Sequence, residues 1–267
     1  MTGFHHPLAQ IKRFEPSRAI RLLLVPVLLL AAWQWLTVAD IIPPNVMASP
    51  QAALRAAWDL LQNGTLLEAV GWSLRRALIG VVLGAALGFV LGVLAGYWLW
   101  GENLIDANMQ MLRTIPFVAL GPVFIAWFGI GETVKLSLVV FATVFPVYIG
   151  TYEGIRGLDR RLIEVARVTG LGTWETVREI IAPGALASVL LGLRYALTLS
   201  IISLVVAEQI NVNGGIGALM FDARAFMQTD VMALCLALYA LLGLGANAVA
   251  RLLEARLLRW RKGVLPS

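Results

Sequence analysis

The chain has 267 residues, 59% of them hydrophobic and 14% charged, with a mean hydropathy of +0.80. Soluble domains are usually about 45–50% apolar and about 25% charged, so this composition excludes an ordinary soluble globular domain. The length suits about six membrane crossings of ~20 residues with short connections, and a net charge of +5 then reports topology before it reports nucleic acid. The one cysteine, Cys235, lies in an apolar run and can form no internal disulfide.

In chain order, Lys12, Arg13, Arg18 and Arg21 precede an apolar run over 22–39. That run is too long for the apolar core of a signal peptide and leads into Asp40-Ile41-Ile42-Pro43-Pro44 with no small-residue cleavage pattern. A retained first helix is expected. His5 and His6 fall in a tail expected to be disordered, and no His/Cys cluster that could hold a metal is present elsewhere. Ser49-Pro50 opens a short helix in which Leu54, Ala57, Trp58 and Leu61 share one face, with Asn63-Gly64 ending it. This reads as an amphipathic helix lying at the membrane interface.

Charge-free windows place further crossings at 77–101, 114–131, 136–152, 184–207 and 231–250. The fold class expected is an all-α bundle of six spans. With the N-terminus in the cytoplasm, fifteen Lys and Arg fall on cytoplasmic segments and five (Arg55, Arg75, Arg76, Lys135, Arg224) on outer ones. The division that follows is a cytoplasmic tail at 1–21, a first span at 22–39 and an outer loop at 40–76. A transmembrane core at 77–252, which contains the segment 153–183, and a basic cytoplasmic tail at 253–267 complete it. In the second crossing Gly80, Gly84, Gly88, Gly92 and Gly96 recur every fourth residue. Such a ridge lets a neighbouring backbone approach closely, either inside one subunit or at a seam between two.

The segment 153–183 between the fourth and fifth crossings is polar where its flanks are nearly uncharged. It reads as two short helices. Asp159 caps the first, which carries Leu162, Ile163, Val165, Ala166 and Val168 and ends at Gly170. Thr173 caps the second, Val177, Ile180 and Ile181 form its apolar side, and Pro183-Gly184 breaks it. A helix–Gly-turn–helix of this kind suits another protein's groove, although a merely solvated loop is the alternative. Gly170 suits a turn needing positive φ.

Glu164-Val165-Ala166, three residues, Gly170, nine residues, then Ile180-Ile181-Ala182-Pro183 resembles the EAA loop of ABC importer permeases, the pattern E-A-A-x3-G-x9-I-x-L-P. Val165 and Ala182 depart from it, both conservatively. The resemblance implies that this loop is a coupling helix seated in a separate ATPase subunit, with Glu164, Val165, Ala166 and Gly170 at the turn and docking surface and Ile180 and Pro183 fixing the exit. It extends from about residue 43 to 261. Met111-Leu112-Arg113-Thr114-Ile115-Pro116, Trp127-Phe128-Gly129-Ile130, Phe145-Pro146-Val147-Tyr148 and Asn213-Gly214-Gly215-Ile216-Gly217 are similar to permeases for aliphatic sulfonates, taurine and nitrate. The partners so implied are an ABC ATPase, a periplasmic solute-binding protein and a second copy of the chain, with lipid around them and no nucleic acid.

No Gly-x4-Gly-Lys-Ser/Thr phosphate loop occurs in the sequence. The chain is therefore expected to be no enzyme and to hold no cofactor, ATP being bound by the partner. Arg194, the one charge well inside a span, is either an anion-attracting pathway residue or an ion-paired one. Thr143, Ser200 and Ser203 are further pathway candidates, unless their hydroxyls are bonded to the backbone. Glu208 and the stretch from Asp222 to Arg224 are expected on the outer side, within reach of the binding protein. An ion-coupled secondary transporter and a non-transport scaffold are the competing classes. The first would need midplane acids, and none of the six predicted spans has a central Asp or Glu.

Overall fold

The computed structural model describes residues 16–210, 214–258 and 260, and among these every regular element is helical. The histidine tail and the terminal basic residues from Arg261 onward lie outside them. α1 (Pro16–Val38) is followed by α2 (Pro50–Gln62), capped as expected: Ser49 Oγ accepts from Ala52 N at 3.1 Å, Pro50 sits at N1, and the chain leaves through Gly64 at φ +79°. The helix docks through Ala53 and Ala56 against the last helix, which leaves Leu54, Trp58 and Leu61 facing outward.

α3 (Thr65–Tyr97), α6 (Glu132–Arg156), α8 (Thr173–Ile210) and α10 (Thr229–Leu257) are long and apolar enough to cross a membrane. α6 lies at the centre. Gly80, Gly84, Gly88, Gly92 and Gly96 of α3 face Val139, Thr143, Val144, Thr151 and Ile155 of α6 in that order, so the two helices run parallel. On its other side Gly150 and Gly154 meet Ser188 and Ala185, while Gly192 meets Pro146, so α8 runs antiparallel to α6. The glycine ridge is thus a close-packed contact within one subunit. The small residues let backbones approach where lipid gives no hydrophobic drive for association.

Three differences from the expected spans have physical causes. The stretch 114–131 is not one crossing. α4 (Glu102–Leu112) and α5 (Phe117–Phe128) meet at an 88° bend. Pro116 denies a backbone donor to a continuing helix and pushes Ile115 out of helical conformation, while Thr114 Oγ1 bonds back to Met111 O at 2.7 Å. At ~1.5 Å per residue α5 alone is shorter than the ~30 Å hydrocarbon core.

The second helix of the 153–183 segment does not break at Pro183. It continues unbroken into α8, because a π-turn over Val177–Ile181 resets the hydrogen-bond register just before the proline. Third, α3 and α8 extend past the charge-free windows and take in Arg76 and Glu208. α9 (Ile216–Ala225) lies between α8 and α10.

Candidate functional site

Both ends of the bundle carry polar constructions. At the end where α3 and α6 finish, Gly157 leads to α7 (Arg160–Val168). Asp159 caps it as expected, its Oδ1 accepting from Arg161 N at 2.9 Å. α7 ends in a left-handed residue, Gly170 at φ +77°, and Leu171 N bonds back to Ala166 O at 2.9 Å, which closes the last turn around the glycine. The cap of α8 is shifted by one residue from expectation: Gly172 is the cap position, and its N–H donates to Glu175 Oε2 at 2.8 Å. Glu175 therefore stands where a capping box wants its acid.

The burial pattern divides the predicted docking residues. Ala166 is fully buried and packs the turn rather than presenting a surface. Glu164 and Val165 are exposed, Ile180 is half-buried, and Pro183 is exposed on the continuing helix. The outer face of the loop is apolar. Leu162, Val165, Val168 (88% exposed) and Trp174 (73% exposed) stand out among Arg161, Glu164, Glu175 and Arg178. An apolar centre with a charged rim marks a contact surface for another protein. Trp174 was not singled out by the sequence reading, and its signal was an aromatic side chain in the first turn of an otherwise polar helix. Beneath the loop a cleft of about 510 Å³ is lined by Tyr97, Ile155, Leu158, Ile163, Leu171 and Thr176, among others.

At the opposite end lies a buried charge cluster that windowing by charge had cut out of the spans. Arg76 (2% exposed) donates from Nε and Nη2 to the two oxygens of Glu132, each at 2.7 Å, and from Nη1 to Glu208 Oε1 at 2.7 Å and to Gly214 O at 2.8 Å. Lys135 Nζ adds a bond to Glu132 Oε1 at 3.1 Å. Glu208, fully buried, also accepts from Ser73 Oγ, Gly217 N and Tyr239 OH at 2.7, 2.9 and 3.1 Å.

This corrects the expectation that Glu208 reaches a binding protein. Its carboxylate is enclosed, and Gly214-Gly215-Ile216-Gly217 folds around it. Gly214 and Gly215 adopt φ of +67° and +101°, which brings a carbonyl onto Arg76. Asp222 and Arg224 are exposed. The overlooked signal was spacing, since Arg76 lies four residues before Gly80 and continues the buried ridge.

The pathway candidates lie apart from both ends. Thr143, Ser200 and Ser203 are buried, and their hydroxyls donate to Val139 O, Leu197 O and Ser200 O at 2.8, 2.8 and 3.1 Å. Arg194 on α8 is partly exposed, with Nη1 3.8 Å from Glu254 Oε2 on α10.

The family of binding-protein-dependent transport system inner membrane components matches residues 84–259, a stretch that holds the whole loop. The chain belongs to this family. It is the permease subunit of an ABC importer and a multi-pass inner-membrane protein. The permease is 44% identical over 236 residues to the protein named aliphatic sulfonates transport permease SsuC of Escherichia coli (strain K12), covering 88% of this chain and 90% of that one. It is 37% identical to the protein of the same name from Bacillus subtilis (strain 168), over 95% and 93% of the two chains. The riboflavin transport system permease RibX of Chloroflexus aurantiacus shares 33% identity over 94% of this chain and 93% of its own. Among solved structures, an amino acid ABC transporter superposes with a TM-score of 0.60 at 15% identity, over 75% of this chain and 97% of that one. The inward-facing MetNI methionine transporter gives 0.51 at 19%, over 74% and 97%. These two likenesses speak to the fold.

Proposed function

We propose that the permease carries a small anionic solute, aliphatic sulfonates first among the candidates, across the inner membrane. Hydrolysis of ATP in a separate ABC ATPase seated on the loop 153–183 drives transport, and the chain itself binds no ATP and no metal. The observation that carries the reading is the apolar face of Leu162, Val165, Val168 and Trp174, exposed on the very loop whose register resembles the family's coupling motif. The partners proposed are that ATPase, a periplasmic solute-binding protein and a second copy of the permease.

The sulfonate assignment is supported by the two relatives named for those substrates. Taurine, nitrate and other small organic anions are the alternatives, taurine being supported by a relative at 28% identity named for its transport. A riboflavin permease at 33% identity supports leaving the final selection to the binding protein.

Six crossings are proposed: α1, α3, the bent pair α4–α5, α6, α8 and α10, with both termini in the cytoplasm. The parallel course of α3 and α6 against α8 suits this order, and it puts the loop and most basic residues on one side. An ion-coupled transporter is disfavoured by Glu208, whose oxygens are already taken up by Arg76, Ser73, Gly217 and Tyr239.

Tagged permease purified from its native membranes is expected to bring down an ABC ATPase. Replacing Glu164 by Ala, Gly170 by Val and Trp174 by Ala together should lower that recovery at least tenfold while the permease remains monodisperse. Undiminished recovery would sink the docking assignment. Fully burying one large apolar side chain contributes roughly 1.5–3 kcal/mol, so losing Trp174 is expected to dominate.

Arg194 tests the pathway separately. Its contact with Glu254 favours a structural role, so Arg194→Ala is expected to keep uptake at limiting substrate within about twofold. A tenfold fall in that uptake would instead assign Arg194 to anion attraction.

A further inference from the structure

The last turns of α6 present Tyr148, Tyr152 and Arg156 at four-residue intervals on one face. Opposite them, α4 presents Glu102 and Asp106, also four residues apart, at the two ends of a π-turn. Tyr148 OH donates to Asp106 Oδ1 at 2.8 Å and Tyr152 OH to Glu102 Oε1 at 2.9 Å, while Arg156 pairs with the other oxygen of Glu102. The two tyrosine rings stack with centroids 5.9 Å apart and planes 8° from parallel. Gln110 adds a bond to Asp106 Oδ2 at 3.3 Å. None of these residues lies on the docking face or near the cluster at the other end.

Their position in the chain gives them meaning. Only Gly157, Leu158 and Asp159 separate Arg156 from α7, so a displaced docking loop must pull or turn the last turn of α6. α4 leads through the 88° bend at Arg113 to Pro116 into α5. The bend is a natural hinge, because Pro116 removes the backbone hydrogen bond that would stiffen it. Contacts of α5 with α6 are apolar, Phe124 resting against Val134 and Leu138, and such contacts slide. The hydroxyl–carboxylate bonds and the Arg–Glu pair do not slide, because they are directional.

We propose that Glu102 and Asp106, held by Tyr152, Arg156 and Tyr148, are positioning residues that carry displacement of the docking loop into the bent pair α4–α5. This rests on reading the loop 153–183 as the ATPase's seat. The tyrosine hydroxyls can be removed with the stacked rings left in place, which separates linkage from packing.

The test uses the permease reconstituted in proteoliposomes with the ATPase and solute-binding protein that copurify with it, and ethanesulfonate as the transported probe. Tyr148→Phe with Tyr152→Phe, and separately Glu102→Gln, are expected to leave ATPase recovery and hydrolysis near wild type. Ethanesulfonate moved per ATP should fall at least about fivefold. The charge exchange Glu102→Arg with Arg156→Glu should recover part of that loss where Glu102→Arg alone does not.

An unchanged transport-to-hydrolysis ratio in all the variants overturns the proposal. So does loss of monodisperse protein in both the tyrosine double variant and Glu102→Gln, which would make the contacts a requirement of folding. Failure of the wild-type permease to recover an ATPase would overturn the docking reading itself, and this inference with it.

Discussion

Glu208→Ala is expected to destabilise the permease by about 3–5 kcal/mol, the usual cost of removing one partner from a buried ion pair. Four donors converge on that carboxylate: Ser73 Oγ, Arg76 Nη1, Gly217 N and Tyr239 OH. With alanine in place they would lose that shared acceptor, and a buried donor that loses its acceptor costs about 1–3 kcal/mol by itself. Melting of the detergent-solubilised protein, followed by monodispersity on size exclusion, should drop on the order of 10 °C. Glu208→Gln, which keeps the volume and one acceptor oxygen, should lose less.

The double variant Arg76→Met with Glu208→Met should be less damaged than the sum of its singles, since charge and counter-charge leave together. A loss below about 1 kcal/mol for Glu208→Ala would show that the cluster is not a structural keystone. The cluster ties α3 and α6 through Arg76 and Glu132, and both to α8, α9 and α10 through Glu208. Its effect should reach the whole bundle.

Gly88→Ala is the second large effect expected, at about 1–3 kcal/mol, with Gly88→Ile beyond it. A Cβ at Gly88 runs into the carbonyl of Val144 and comes within 3.0 Å of the Tyr148 amide nitrogen. Both obstacles are backbone, so no side chain can turn aside to relieve the clash. Gly71, two turns into the same helix, is the control: nothing lies within 4 Å of a Cβ there. Gly71→Ala should be neutral or gain about 0.5–1 kcal/mol from the glycine it removes. Equal melting losses at the two positions would mean that the ridge is not a packing contact. The comparison is sharp because both sites are helical and differ only in what they face.

Much of this was legible in the residues, and the misses share one physical cause. The apolar runs located α3, α6, α8 and α10, and the four-residue glycine period located the α3–α6 contact, because lipid forces both signals into the sequence. Asp159, Gly170 and Ser49-Pro50 announced their caps through local chemistry alone. Arg76, Lys135 and Glu208 were placed outside the spans because a charge in lipid is costly in isolation. Arg76 and Glu208 lie in the bundle because each finds partners from helices far away in sequence, a pairing no local window contains, while Lys135 bonds Glu132 one turn before it. The burial of Ala166 and the exposure of Trp174 were likewise hidden, since they depend on how α7 and the first turn of α8 sit over the ends of α3 and α6 at Tyr97 and Ile155. Pro183 misled for a different reason: proline ends a regular helix, but a widened turn upstream lets the helix pass through it.

The uninterrupted course of α8 has a mechanical corollary. At ~1.5 Å per residue, Trp174 lies about 27 Å from Gly192, and Glu208 about 24 Å beyond it. Near its middle, Gly192 packs against the Pro146 carbonyl of α6 with no room for a Cβ. A stiff beam bearing on a point near its middle behaves as a rocker: tilting one tip swings the other the opposite way by a similar amount. A softer joint lies just inside the Trp174 tip, at the widened turn over Val177–Ile181 and the Pro183 that follows it.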